Sequence, residues 1–139
     1  MYLYVSSDTA ESYFPDNEAA DFRARLARPL NLYGKWEVAL TEIAVPKLQG
    51  DYKPEYIGVN CSVAAESFVD GSQAAILNRV YLQEIRPIQV IRFHTPHYVP
   101  VNTNLVYVIH FNLYDNKGEK PSFQSGSLHC ALHFRQCLD

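Results

Sequence analysis

The chain has 139 residues, 47% of them hydrophobic, with a formal net charge of −3 and a pI near 5.9. That is enough for one domain with a sizeable core, spanning residues 1–139, and it is too apolar to stay disordered. The net acidity argues against a nucleic-acid partner, and no apolar run approaches the roughly 18 residues of a membrane-spanning helix.

The start, Met1-Tyr-Leu-Tyr-Val-Ser-Ser-Asp8, has no basic residue ahead of its apolar part and is too short for a signal peptide, so synthesis in the cytosol is expected. The three cysteines, Cys61, Cys130 and Cys137, are odd in number and lack Cys-x-x-Cys spacing. They read as reduced, mostly buried thiols, with a Cys130–Cys137 link as the alternative in an oxidising setting.

Eight strand-like runs follow one another with little helix. The first is Met1 to Ser6. The second, Ala20 to Arg28, alternates Phe22, Ala24 and Leu26 with Asp21, Arg23 and Arg25, the pattern of a half-buried strand. A short helix capped by Asp16 or Asn17 is the competing reading of its start. The third, Lys35 to Val45, puts Trp36, Val38 and Leu40 on one face and Glu37 and Thr41 on the other, and Pro46 ends it. Strict alternation also places Glu37 and Glu42 on opposite faces, which is no arrangement for a pair of glycosidase carboxylates.

Runs four to six are Tyr56 to Ala64, Ala74 to Gln83 and Ile88 to His94. The seventh, Asn104 to Tyr114, carries Leu105, Tyr107, Ile109, Phe111 and Leu113 on one face and Val106 and Val108 on the other. The eighth is Ser127 to Phe134. Separators rich in Pro, Gly, Asn and Asp lie between them: Phe14 to Asn17, Pro29 to Gly34, Gln49 to Asp51, Asp70 to Ser72, Pro96 to Asn104, and the turn Asp115-Asn-Lys-Gly118.

Short strands with turns and no βαβ rhythm predict an all-β fold, a single jelly-roll β-sandwich of about eight antiparallel strands in two sheets. Runs one, eight, three and six would form one sheet, and runs two, seven, four and five the other. Trp36 and Leu132 would then face the core from neighbouring strands. An immunoglobulin-like sandwich is the competing fold, but Trp36 precedes every cysteine.

No nucleophile, phosphate-loop or zinc-protease motif is present. A Cys130–His110 dyad would need runs seven and eight to be neighbours, and the expected topology puts them in different sheets. His129, His133 and Arg135 share the outward face of run eight, with the two histidines ~13 Å apart at ~3.3 Å per residue, too far to chelate one ion. They read instead as interface residues that could make assembly acid-sensitive. No cofactor is implied.

An antiparallel strand apolar on both faces, as Val106 and Val108 suggest for run seven, calls for a covering partner, and a second subunit is the simplest. Arg23, Arg25 and Arg28 form an outward row that reads either as a solvated face or as a contact for an acidic neighbour. His97 and Tyr98, in a loop stiffened by Pro96 and Pro100, suit an interface as well. The rival function class is a β-sandwich module binding carbohydrate or peptide, for which Asp51, Tyr52 and Tyr56 are the available side chains.

Two segments carry a resemblance. One is Tyr13-Phe-Pro-Asp-Asn17, Asp21-Phe-Arg-Ala-Arg-Leu26, Pro29-Leu30 and Gly34-Lys-Trp-Glu-Val-Ala-Leu-Thr-Glu-Ile43 with Pro46. The other is Val101-Asn-Thr-Asn104, Ile109-His-Phe-Asn-Leu-Tyr-Asp115, Gly118, Phe123, Gly126 and Leu132-His-Phe-Arg135. Together they resemble the penton-base-like minor capsid proteins of Maverick/Polinton elements, adintoviruses and related double-stranded DNA viruses. The resemblance implies a virion protein, a single jelly roll assembled as a homopentamer at icosahedral vertices beside a major capsid protein. A first strand beginning at Met1 predicts no N-terminal arm.

Overall fold

In the computed structural model, residues 1–8, 16–65, 67–69, 72–74, 76–82 and 89–137 are described. Gln83, Ile88, the Asp70–Gly71 separator and the Tyr13–Pro15 part of the resemblance lie outside them. Eleven strands run β1 (Tyr2–Ser6), β2 (Asp21–Asn31), β3 (Trp36–Val45), β4 (Tyr56–Cys61), β5 (Ser67–Val69), β6 (Ser72–Ala74), β7 (Ile76–Tyr81), β8 (Gln89–Arg92), β9 (Val99–Pro100), β10 (Leu105–Asp115) and β11 (His129–Gln136). No helix occurs among the described residues.

One sheet has the order β1-β11-β3-β8, with β9 also pairing β3; the other has the order β2-β10-β4-β7, and every pairing is antiparallel. This is the expected jelly-roll arrangement, strand for strand. A separate ribbon, β5-β6, and the short β9 are additions that periodicity did not signal.

The core lies between the two sheets because each long strand turns its apolar set inward. Phe22 and Phe111 face each other in register on β2 and β10, stacked at 5.1 Å. Leu40, Ile43, Leu132 and Phe134 of the opposite sheet are fully buried with them. Trp36 is half-buried against this cluster, and its indole N–H donates to the Tyr33 carbonyl oxygen at 2.9 Å. Val45 ends β3 just before Pro46, as expected.

Of three register shifts among the described strands, the third lying between β4 and β7 at Val59 and Asn60, two correct the sequence reading. On β2, Val106 pairs with Leu30 and Val108 with Arg25, so Leu26, Ala27, Arg28 and Pro29 all stand opposite the single Tyr107. Proline is tolerated there because β2 is an edge strand, and the strand continues to Asn31 instead of ending at Arg28. The bulge inverts the phase of β10: Val106 is buried at 3% exposure, while Leu105, Tyr107 and Val108 reach 45%, 58% and 38%. Val106 is therefore a core residue, not part of an outer face. Arg28 is exposed but sits in the bulge, outside the row made by Arg23 and Arg25.

The second bulge lies on β3. Leu132 pairs with Leu40 and Ala131 with Glu42, leaving Thr41 as the extra residue, its hydroxyl donating to the Ala131 carbonyl at 3.1 Å. Val38, Leu40 and Ile43 remain in the core, and Glu37 and Glu42 come to the same outer face rather than opposite ones. Asn17 caps no helix. Its side-chain amide donates to the Arg23 carbonyl at 2.8 Å and accepts from the Arg23 N–H at 2.9 Å, extending the ladder past the β2 edge.

Candidate functional site

The outward face of the β2-β10-β4-β7 sheet carries a mixed apolar and basic surface near one end. Leu105, Tyr107 and Val108 are exposed around the buried Val106, at the end of β10 where the bulge interrupts the register with β2 and where β4, which pairs only with Phe111 to Asp115, does not reach. Arg25 stands opposite Val108, and Arg23 opposite His110. His110 is held rather than free: its Nε2 lies 2.6 Å from Asp21 Oδ1, and its backbone N–H donates to Ser62 Oγ at 3.0 Å. Apolar side chains framed by arginines and a histidine–carboxylate pair suit a desolvated contact with a charged rim.

The outward face of the β1-β11-β3-β8 sheet carries a second cluster. The Tyr98 hydroxyl and His133 Nδ1 share a hydrogen bond of 2.7 Å. The Arg135 guanidinium lies 3.6 Å from the centre of the Tyr98 ring and pairs with Glu37. Tyr2 packs on the other side of His133, with ring centres 4.6 Å apart. Burial, then the chain's amino group and Arg135, hold His133 below the usual histidine range. Its ring packs against both tyrosines. Farther along the face, Arg92 and Glu42 form an ion pair at 3.1 Å. A groove of about 220 Å³ runs beside Tyr4, floored by Ala44 and Ala131 and rimmed by Glu42 and His129.

The sequence-predicted residues thus divide. Val108, His110, Arg23 and Arg25 meet on one outer face, and His129, His133, Arg135 and Tyr98 on the other. Tyr98 is committed to its own sheet, while His97 stays exposed in the loop. Cys130 points into the core and His110 out of it, in different sheets, so they form no dyad. Cys61, Cys130 and Cys137 are free thiols, with Cys61 and Cys130 buried. Of the sugar-site candidates, Tyr52 donates its hydroxyl to Asp115 Oδ2 at 2.6 Å, and Tyr56 lies between Tyr81 and the Arg79 guanidinium. Among the described residues, no three His, Cys, Asp or Glu side chains gather closely enough to hold a metal ion.

Sequence reasoning did not single out Tyr2 and Tyr4, although their spacing in Tyr2-Leu-Tyr-Val-Ser6 put both on the face opposite Leu3 and Val5. It did not single out Leu105 and Tyr107 as surface residues either, because only the register with β2 reveals the phase change. No family model and no curated protein sequence matches the chain.

Proposed function

We propose that this chain is a structural subunit of an icosahedral particle: a penton-type minor capsid protein that closes into a pentamer at the vertex and contacts the major capsid protein. The observation that carries the reading is the Leu105, Tyr107 and Val108 patch beside Arg23 and Arg25, on the outside of a jelly-roll sheet. Large apolar side chains grouped on a sheet face, with charge at their border, are what an assembly contact needs and a solvated face does not. A head-to-tail contact through such a patch gives a ring when the rotation between neighbours is a whole fraction of a turn, as a vertex requires. The five-fold count, the virion location and the major capsid partner come from the resemblance of the two segments quoted above.

Light scattering over a concentration range tests it. The expected mass is five times that of the chain, falling toward the monomer in Val108→Glu. A monomer at every concentration, or a stable ring of another size, overturns the vertex reading. The groove beside Tyr4 favours a second reading, a carbohydrate- or peptide-binding module. Saturable glycan or peptide binding that is lost in Tyr4→Ala, in a monomeric protein, would replace the first.

A further inference from the structure

We propose that the free edge of β1 is a second self-association surface, on which β1 of another copy adds antiparallel about a two-fold axis through Leu3. The backbone settles which groups are available. Phe134 donates its N–H to the Met1 carbonyl at 2.8 Å, the Met1 nitrogen donates back at 3.0 Å, and the Ser7 N–H donates to the Leu128 carbonyl at 2.9 Å. Residues 1, 3, 5 and 7 thus turn their backbone groups toward β11, in keeping with the pairing of Leu3 with Leu132 and Val5 with Cys130. By the alternation of an antiparallel ladder, the N–H and C=O groups of Tyr2 and Tyr4 point away from β11, toward the open edge. No described strand pairs there.

Charge selects the occupant. Exposed edges invite strand addition unless charge, proline or a bulge blunts them. The other edges of the two main sheets are blunted: β2 by Arg23, Arg25, Arg28, Pro29, its bulge and the Asn17 amide; β7 by Arg79; the four-residue β8 by Arg92; and the two-residue β9 by Pro100. Among the described edge strands of the two main sheets, only Tyr2-Leu-Tyr-Val-Ser6 has no charge, no proline and no register shift; the strands of the β5-β6 ribbon, equally uncharged, are three residues long. A two-fold contact sets each strand against itself. For β2 that brings arginine against arginine, whereas for β1 it brings no charge against charge.

With the axis at Leu3, Tyr2 of one copy faces Tyr4 of the other, and the reverse. Both pairs are hydrogen-bonded pairs of the new ladder, so each unpaired N–H and C=O of Tyr2 and Tyr4 finds a partner. Leu3 meets Leu3 on the inner side. On the outer side the pairing brings together tyrosines that are 60% and 74% exposed in the single chain. The pairing stops before Ser6, where the Asp8 amide donates to Ser6 Oγ and bends the chain away. The contact is isologous and uses neither β2 nor β10, so it is independent of the proposed vertex ring.

So short a ladder gives a weak contact, with Kd on the order of 10 µM or above. Sedimentation of the full chain across that range should show its basal unit, ring or single chain, doubling with concentration. Tyr4→Pro removes an outward N–H without touching the β11 ladder, and Tyr2→Lys/Tyr4→Lys sets lysine against lysine. Each should raise the Kd of doubling by about tenfold or more while leaving the basal mass in place, and Tyr4→Pro, which keeps the Tyr2–His133 packing, should leave the melting temperature in place as well. Val108→Glu should do the reverse, changing the basal mass and leaving its doubling. A basal unit that never doubles, or doubling that survives both β1 variants, overturns the proposal without bearing on the ring.

Discussion

Asp115 is the side chain whose removal should cost this fold the most for its size. It ends β10 with only 3% of its surface exposed. Its carboxylate accepts three hydrogen bonds: from the Tyr52 hydroxyl at 2.6 Å, and from the backbone N–H groups of Lys117 and Glu119 at 2.9 Å each. Those two amides shape the turn in which Gly118 takes a φ of 78°, and Tyr52 ties the β3–β4 connection to it. Burial pushes the carboxyl upward, but the Tyr52 hydroxyl and the Glu119 and Lys117 amides outweigh it and hold the group below its ordinary value of 3.8. Burial, and then the same contact, push the Tyr52 hydroxyl up.

Bonds to a charged group contribute about 1.5–3 kcal/mol each. The two amides lie in an exposed turn and regain water when the carboxylate is gone, so the lower end of that range applies. Asp115→Ala should therefore cost about 4–5 kcal/mol at pH 7, and roughly 15 °C in Tm for a domain of this size. Asp115→Asn keeps an acceptor for the amides but loses the charge, and should cost about half as much. A carboxyl whose folded pKa is depressed stabilises above its unfolded value, and that stability is lost as pH falls through the folded value. The gap between wild type and Asp115→Asn should therefore close as pH drops below 3.8. Urea melts at pH 7 and in acid measure both. An Asp115→Ala loss under about 1 kcal/mol, or a gap to Asp115→Asn that ignores pH, would refute the assignment of this stability to the carboxylate.

Other expectations concern the sheets. The Tyr114 ring lies across Gly58 on the neighbouring strand, where an added Cβ would meet it at 2.0 Å, and its buried hydroxyl has no partner among the described residues. Tyr114→Phe should raise stability by about 1 kcal/mol, because it removes an unsatisfied polar group. Gly58→Ala should lower it by about 1–3 kcal/mol by forcing the ring off its site, and by less in a Tyr114→Ala background. Chemical denaturation of the four variants checks this. His133, its pKa lowered from 6.5, lends stability that is complete above that value and lost as pH falls through the folded one. Tm should therefore drop between pH 7 and pH 5, and His133→Gln should flatten that limb. A melting series with equal slopes for both proteins would show that His133 is not the group responsible.

The amino-acid sequence alone marked the eight strands of the two main sheets, but not β5, β6 or β9. Local alternation is strong where one face must be dry, as at Phe22-Arg-Ala-Arg, and proline and glycine separators marked most of the ends. The order of the strands in the two sheets followed from laying eight runs onto a jelly roll in preference to an immunoglobulin-like sandwich, and the pairing agrees with it. What the sequence did not settle was phase. A single extra residue in one strand flips every side chain beyond it, and nothing local distinguishes a bulge from continued alternation. The register of β10 against β2 therefore decided that Val106 is core and that Leu105 and Tyr107 are surface. The register of β11 against β3 placed Glu37 and Glu42 on one face. The same is true of the cluster of Tyr2, Tyr98, His133 and Arg135, which joins residues from three distant parts of the chain. Only the tertiary pairing of β1, β11 and β9 around β3 brings them within reach, because cross-strand neighbours are set by pairing and not by spacing along the chain.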